Sequence, residues 1–345
     1  DILALNSRFE KFMLVLNTGG PVDLSPVIEV GNILILSQLG TITGAALADI
    51  LTGKANPSGK LATTWSAVSD YCPDLEFGME DDTCYREGIY VGYRYFDSAG
   101  KKAMFPFGHG LSYTSFEFGK ASCELENKED GPSVRVNVSV SNTGAFAGKE
   151  VVQVYVSCPS WRLDKPYQDL AAFAKTGLLA PGDTEDVALL FRLDDLASYD
   201  QANAVYVLER GDYILRVGNS SVDTVPEAII TLAEDVITRK VRRITEDPDF
   251  ADKKYVRNGS GENLPEDICR LTITPDMFKF RAIEYDEKEE VLPEIRQLPL
   301  EDLIYMGIGG FSSRIGLSSV IGNAGRSVAG AAGETTAMLT GRGIG

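Results

Sequence analysis

The stretch Val134–Gly144 reads VRVNVSVSNTG. Val134, Val136, Val138 and Val140 alternate with Arg135, Asn137, Ser139 and Ser141. Successive side chains on a strand point to opposite faces, so this pattern describes a half-buried antiparallel strand running into a turn. The same grammar recurs downstream. VVQVYVSCP places Val152, Val154 and Val156 on one face, and LLAPGDTEDVALLFRL sets a Pro-Gly turn ahead of another strand. GDYILRVGNSS points Tyr213, Leu215 and Val217 one way. Several short strands separated by turn signals make residues 119–232 a β-sandwich.

The paired cysteines and core tryptophan of antibody domains are missing from that stretch, which favours the fibronectin type III-like variety. Upstream, residues 1–118 follow a different pattern. KFMLVLN (Lys11–Asn17) is an apolar run ending in TGGP, as a buried strand does when it leaves through a tight turn. NILILSQLG (Asn32–Gly40) repeats it. In TITGAALADILTG, residues Ile42, Ala45, Ala46, Ala48, Ile50 and Leu51 have near-helical spacing, and Gly53 is placed to end the helix. Strands and helices in alternation argue an α/β layer with parallel strands. Two strands are too few to close such a layer, so the unit reads as cut on its N-terminal side. The fold class is therefore α/β plus all-β.

Residues 233–294 are charged and poorly periodic (EDPDFADKKYVRNGSGENLPED, EYDEKEE) and read as a charged linker or peripheral wrap. Residues 295–345 begin with LPLEDLIYM, which can start a short helix, and continue as a Gly- and Ala-rich segment. No internal repeat is evident.

The 345 residues are 44% hydrophobic and suffice for two or three domains. No apolar run approaches the roughly 20 residues of a membrane-spanning helix, and DILALNSRFEK has neither a basic leader nor an initiator Met. With 33 basic against 50 acidic residues, the net charge of −17 disfavours nucleic acid and anionic membranes as partners. The five cysteines, Cys72, Cys84, Cys123, Cys158 and Cys269, are widely spaced with no C-x-x-C. That argues against a disulfide framework or zinc cluster and suggests a reducing, cytoplasmic setting. Asn137, Asn219 and Asn258 begin N-x-S sequons, which matter only in a eukaryotic secretory context.

Chemistry-bearing motifs are individually poor. His109, the single histidine, stands in FPFGHGLSY with Glu117 as its nearest acid in sequence, and a structural role in a turn outweighs a general base. Glu87 in YREGIYVGYRY would have a raised pKa if buried among Tyr85, Tyr90 and Tyr93. A structural ion pair with Arg86 or Arg94 is the favoured reading. MGIGGFSSRIG has Ser312 where a dinucleotide fingerprint needs glycine. Ser327 in GNAGRSVAGAAGE lacks the G-x-S-x-G elbow. The acidic runs Glu80–Asp82 and Asp286–Glu290 lack the spaced oxygens of a calcium loop.

Taken together, three longer segments resemble the glycoside hydrolase family 3 β-glucosidases. LVLNTGGPVDLSPV (Leu14–Val27) is similar to the family's VVLnsGgPVdl strand and turn. GAALADILTGKANPSGKLATTW (Gly44–Trp65) is similar to its G-ALAdvLfGd-NPSGkLp-T stretch. EGIYVGYRYFDSAGKKAMFPFGHGLSYTSFEF (Glu87–Phe118) is similar to its Y-EGiyVGYRyfd…FPFGyGLSYT-F, the longest of the three. His109 replaces the usual Tyr, Ala62 the usual Pro, and LSQLGTITG the common aromatic-x-PGQ-x-GG.

The resemblance implies a domain order. Residues 1–118 would be the C-terminal part of an α/β sandwich domain, 119–232 a fibronectin type III-like domain, 233–294 a charged linker and 295–345 the start of a catalytic (β/α)8 barrel. The aromatic segment would then be interdomain packing and its glycines tight turns. Family members hydrolyse terminal β-D-glucosyl residues with retention, using an aspartate nucleophile on the barrel and a glutamate acid/base from the α/β sandwich domain. Neither motif is present, the chain beginning after the glutamate's expected place, so no catalytic residue is assigned. Glu10, Asp23 and Glu87 do not match those motifs.

VAGAAGETTAM (Val328–Met338) resembles the loop entering the barrel in members with inverted domain order. Gly333, Glu334 and Thr335 would then border the sugar site, with Glu334 and Thr335 as the candidate substrate-binding residues. The expected activity is that of the non-barrel portion of a β-glucosidase, inactive alone, with no cofactor. Its expected partners are a barrel segment or chain of the same enzyme, an oligosaccharide or glycoside substrate, and a possible second copy. The alternatives are a catalytically silent scaffold or carbohydrate-binding module, and a β-xylosidase or other glycosidase of the same family.

Overall fold

The apolar runs near the N-terminal end become two short strands that pair in parallel, β1 (Leu14–Leu16) and β2 (Ile33–Ile35), with Leu14 opposite Ile33 and Leu16 opposite Ile35. This computed structural model describes residues 1–71, 84–129, 131–243, 250–255, 264–285 and 291–303. Helix α1 (Ile2–Arg8) precedes β1, and α2 (Thr43–Leu51) follows β2. Helix α2 stops where Gly53 takes φ +71°, its N–H bonding the Ile50 carbonyl at 3.1 Å. That left-handed position is one glycine adopts without steric cost. Between β1 and β2 lies only a 3-10 turn, Ser25–Val27, which has a proline in its first turn. Two short helices, α3 (Val68–Tyr71) and α4 (Tyr93–Ser98), complete the α/β part.

The sandwich begins at β3 (Phe116–Phe118), followed by β4 (Ser122–Lys128), β5 (Gly131–Asn142), β6 (Val151–Ser157), β7 (Asp169–Lys175) and β8 (Thr184–Arg192). Then come β9 (Ser198–Asp200), β10 (Val205–Leu208), β11 (Gly211–Gly218) and β12 (Thr224–Leu232). In one sheet β5 pairs antiparallel with β3, β4 and β8. The other runs β7, β6, β11, β12, each neighbour antiparallel. The alternating valines read from the sequence share one core: Val134, Val136, Val138 and Val140 meet Val152, Val154, Val156, Tyr213, Leu215 and Val217. Tyr213, buried at the start of β11, donates to the Glu209 carbonyl at 2.6 Å, so its hydroxyl is not stranded in the apolar interior.

The stretch read as a charged linker or wrap, 233–294, contributes three strands: β13 (Val236–Lys240), β14 (Cys269–Ile273) and β15 (Arg281–Ala282). Strand β13 pairs antiparallel with β10, which in turn pairs with β9, and β15 lies parallel to β13. Strand β14 pairs parallel with β12, making that sheet five-stranded. The reason is local. Ile268, Ile273 and Val236 are buried apolar residues, and Cys269, Leu271 and Ile273 alternate with exposed Arg270 and Thr272 over only five residues. The acidic and basic residues on either side mask so short a signal.

The chain divides into two units, Asp1–Ile283 and Glu284–Gly345. In the second, the described elements are α5 (Pro293–Arg296) and a helical stretch over residues 300–303, where LPLEDLIYM is expected to start a helix. No helix among the described residues is long and apolar enough to cross a membrane.

Candidate functional site

The aromatic segment makes α4 by turning on Gly92, whose φ of +59° directs the chain into Tyr93–Ser98. Tyr95, Phe96, Asp97 and Ser98 of this one helix are buried. Its polar groups reach the sandwich strand β7 and the loop before it. Ser98 Oγ accepts the Tyr167 N–H at 2.8 Å, Asp97 Oδ2 accepts Gln168 Nε2 at 2.9 Å, and Tyr93 Oη accepts the Leu170 N–H at 2.9 Å. Arg94 pairs with Asp169 at 2.5 Å, and Tyr90 donates to Asp164 at 2.6 Å. The Tyr93 ring lies 4.7 Å from Phe107 and 5.9 Å from Tyr155 of β6. Burial pushes the Tyr90, Tyr93 and Tyr155 hydroxyls above the usual phenol range, with the neighbouring Asp164 adding to the effect on Tyr90. All three are neutral hydrogen-bonding groups.

A second seam joins NPSGK to FPFGHGLSY. Leu61 N–H bonds the His109 carbonyl and Gly108 N–H bonds the Leu61 carbonyl, both at 2.8 Å. Asn56 ties three pieces together: its Oδ1 accepts Ser112 Oγ and the Tyr113 N–H at 2.9 Å, and its Nδ2 donates to the Ala147 carbonyl at 3.0 Å. Lys60 forms an ion pair with Glu150 at 2.8 Å, and Gln153 of β6 donates to the Asn219 carbonyl at 2.5 Å. Glycine is required here by space. A Cβ on Gly110 would overlap the Gly59 carbonyl oxygen, and one on Gly108, at φ +80°, would overlap the Gln153 amide.

A third contact comes from residues 250–255. Lys253 N–H bonds the Arg86 carbonyl at 2.6 Å. Tyr255 packs edge-on against Tyr90 and Tyr95, at 5.2 and 4.9 Å between ring centroids. Sequence reasoning missed Tyr255 altogether, along with Lys60, Glu150 and Gln168. Lys60 lies inside a quoted motif, but nothing in a one-dimensional reading ties it to Glu150, the residue before β6.

The other sequence candidates are placed as follows. His109 is half-buried beside Phe105, 5.5 Å between rings, and burial followed by the Lys60 charge holds its pKa below the ordinary 6.5. It is a turn residue, as expected. Glu87 is exposed and makes no ion pair among the described residues, so the expected pairing with Arg86 or Arg94 is corrected; Arg94 is taken by Asp169. Helix α4 turns Arg94 toward the sandwich, whereas Glu87 sits on the preceding turn. Of the aromatics expected in the junction, Tyr85 is exposed instead. Glu334, Thr335, Gly333, Ser312, Ser327 and both acidic runs lie outside the described residues.

The carboxylates at the junction are thus committed to partners: Asp97 to Gln168, Asp164 to Tyr90, Asp169 to Arg94 and Glu150 to Lys60. Among the described residues no group of three or more His, Cys, Asp or Glu is placed to hold a metal ion. The arrangement joins an α/β part to a β-sandwich.

Residues 2–113 match the model of the glycosyl hydrolase family 3 C-terminal domain, and residues 150–221 match the fibronectin type III-like domain. The chain belongs to glycosyl hydrolase family 3. The first family model thus covers the α/β part and most of the aromatic segment, and the second covers the sandwich strands β6 to β11. Among family 3 relatives, the chain is 35% identical over 291 residues to beta-glucosidase A of Butyrivibrio fibrisolvens, covering 76% of this chain and 34% of that one. It is 32% identical over 310 residues to thermostable beta-glucosidase B of Acetivibrio thermocellus, covering 88% and 39%. Among solved family 3 structures, a beta-glucosidase from Paenibacillus barengoltzii superposes with a TM-score of 0.66 at 38% identity, over 70% of this chain and 28% of that one. Beta-glucosidase 3B from Thermotoga neapolitana, in complex with glucose, gives 0.60 at 40% identity, over 66% and 32%. The chain spans between about a third and two-fifths of the length of the first two relatives.

Proposed function

We propose that this chain is the non-barrel portion of a retaining β-glucosidase, of inverted domain order, that hydrolyses terminal β-D-glucosyl residues together with a catalytic (β/α)8 barrel. The observation that carries the reading is the junction itself. The segment most similar to the family's is spent largely on internal hydrogen bonds and ring contacts. Of the junction carboxylates, Asp97 and Asp164 are hydrogen-bonded to Gln168 and Tyr90, while Asp169 and Glu150 are ion-paired with Arg94 and Lys60. Retaining hydrolysis needs two carboxyl groups about 5–5.5 Å apart on either side of the glycosidic bond, one nucleophilic and one proton-donating. On this reading the barrel supplies the nucleophile, and the acid/base comes from a part of the α/β domain preceding β1. Glu334 and Thr335 border the sugar site, and the reaction uses no cofactor.

Uncovered apolar surface supports a larger body. On α1, Ile2, Leu3 and Leu5 are 37%, 41% and 44% exposed, and Phe9, Ile42 and Leu51 also face solvent. Large apolar side chains left exposed in this number are what a surface covered by further protein presents. The α/β part keeps only Leu24 and Val30 buried in its first sixty residues.

The test is reconstitution. The purified chain is mixed with a polypeptide comprising the barrel and the remaining α/β segment, and turnover is followed on chromogenic β-glucoside and β-xyloside. Activity on the glucoside that saturates at equimolar ratio is expected. Co-purification without activity would favour a silent scaffold, and preference for the xyloside would move the specificity within the family.

A further inference from the structure

Cys123 and Cys269 stand in opposite sheets of the sandwich and face the same interior. Cys123 on β4 pairs with Val136 of β5, and Cys269 on β14 pairs with Ala228 of β12. Val136 and Ala228 are both fully buried in the common core, to which Cys123 belongs and against which Cys269 packs. Paired residues on neighbouring strands project to the same side of a sheet, so the two thiols point inward from either side of one edge of the sandwich. They are close: Cys269 Sγ lies 3.6 Å from the Cys123 carbonyl oxygen. Both are free thiols.

We propose that Cys123 and Cys269 form a reversible inter-sheet disulfide, a covalent clasp that ties the added strand β14 to β4 across the edge of the sandwich. The sulfurs differ in access. Cys269 is half-buried, whereas Cys123 is 7% exposed and its thiol is pushed up to about 12, chiefly by burial. The order of events follows from that difference. The Cys269 thiolate attacks a disulfide oxidant such as oxidised glutathione, forming an S–S bond to one glutathionyl group and releasing the other as thiolate. Cys123 then loses its proton and attacks Cys269 Sγ, and the second glutathione leaves. Two protein thiols are oxidised, one glutathione disulfide is reduced to two thiols, and the protein is lighter by two hydrogens. Because the thiolate is the nucleophile, the second step is the slow one and quickens as pH rises.

The inference rests on the sandwich alone and is independent of the glycosidase reading. The experiment incubates the folded chain with oxidised glutathione at pH 8.5, quenches free thiols by alkylation, and maps peptides by mass spectrometry without reduction. A Cys123–Cys269 cross-linked peptide is expected from the folded protein, removed by dithiothreitol and retained in Cys158→Ser. The cross-linked form should also melt at a higher temperature, since the bond closes a long loop. The proposal is overturned if folded protein yields only a stable glutathione adduct at Cys269. It is equally overturned if either cysteine pairs instead with Cys72, Cys84 or Cys158, or if the cross-link forms only in denaturant. Should Cys123→Ser fail to fold, Cys269→Ser, at the more exposed position, serves as the negative control.

Discussion

Lys60 Nζ sits 2.8 Å from Glu150 Oε1, with the two side chains only 11% and 9% exposed. Lys60 comes from the NPSGK turn of the α/β part and Glu150 from the residue before β6, so this buried pair spans the junction. Each partner is also hydrogen-bonded to backbone: Lys60 Nζ donates to the Gly110 carbonyl at 3.0 Å, and Glu150 Oε1 accepts the Val151 N–H at 2.6 Å.

Removing one member of such a pair strands the other charge away from water. Glu150→Leu is expected to cost about 3–5 kcal/mol, and Lys60→Met a comparable amount. The double variant Lys60→Met, Glu150→Leu should lose less than the two singles combined, because neither charge is then left unpaired. Urea denaturation of the four proteins measures the cycle. Additive losses would mean that the two groups do not interact.

Gly110 and Gly108 give a steric prediction. A methyl group at 110 meets the Gly59 carbonyl, which is backbone and has little room to yield. Gly110→Ala should therefore destabilise the chain by about 1–3 kcal/mol, with loss of the 59–61 hydrogen bonds seen as faster amide exchange. Gly20, with open space around the added Cβ, is the matched control, and Gly20→Ala should change little.

His109 is the chain's single histidine, so its imidazole gives one resolvable proton signal. Its folded pKa lies below 6.5 because burial, and then the Lys60 charge, disfavour the cation. The sign follows: below about 6.5 the unfolded chain binds the proton more readily, so stability rises with pH up to 6.5 and falls as pH drops toward the folded value. NMR titration should place the midpoint below 6.5. His109→Tyr should remove this part of the pH dependence of the urea midpoint. A midpoint at or above 6.5 would refute the account of the turn.

Glu87 is exposed and without an ion pair among the described residues. Glu87→Gln is accordingly expected to fold with stability within about 0.5 kcal/mol of the parent, as surface substitutions do. A larger loss in thermal melting of the chain would show that the side chain has a stabilising partner and contradict its placement as an unpaired surface group.

What the sequence made legible was periodic or local. The valines of β5 and β6, and Tyr213, Leu215 and Val217 of β11, face the core as their alternation requires, because a period of two survives any tertiary context that buries one face. Gly53 ends α2 because chain stereochemistry at that point is local. What escaped was non-local or short. Strand β14 carries its apolar pattern on five residues within charged sequence, and its partner β12 precedes it by a long excursion. Glu87 and Arg94 are seven positions apart in the sequence, yet the turn at Gly92 sends the arginine to Asp169. Tyr255 joins Tyr90 and Tyr95 although the whole sandwich lies between them in the sequence, a contact set by topology alone. Of the candidate site, the role of the aromatic segment in joining domains was legible through the length of its resemblance, but the residues that make the joint were not.

The proposal under test is that this chain is a supporting portion of a glycosidase whose two catalytic carboxylates lie outside it. Its most direct test is steady-state turnover of a chromogenic β-glucoside by the purified, mass-verified 345-residue chain alone, with folding confirmed by circular dichroism. The account predicts no turnover above background at any chain concentration. Turnover proportional to chain concentration would place both carboxylates within these residues and contradict it.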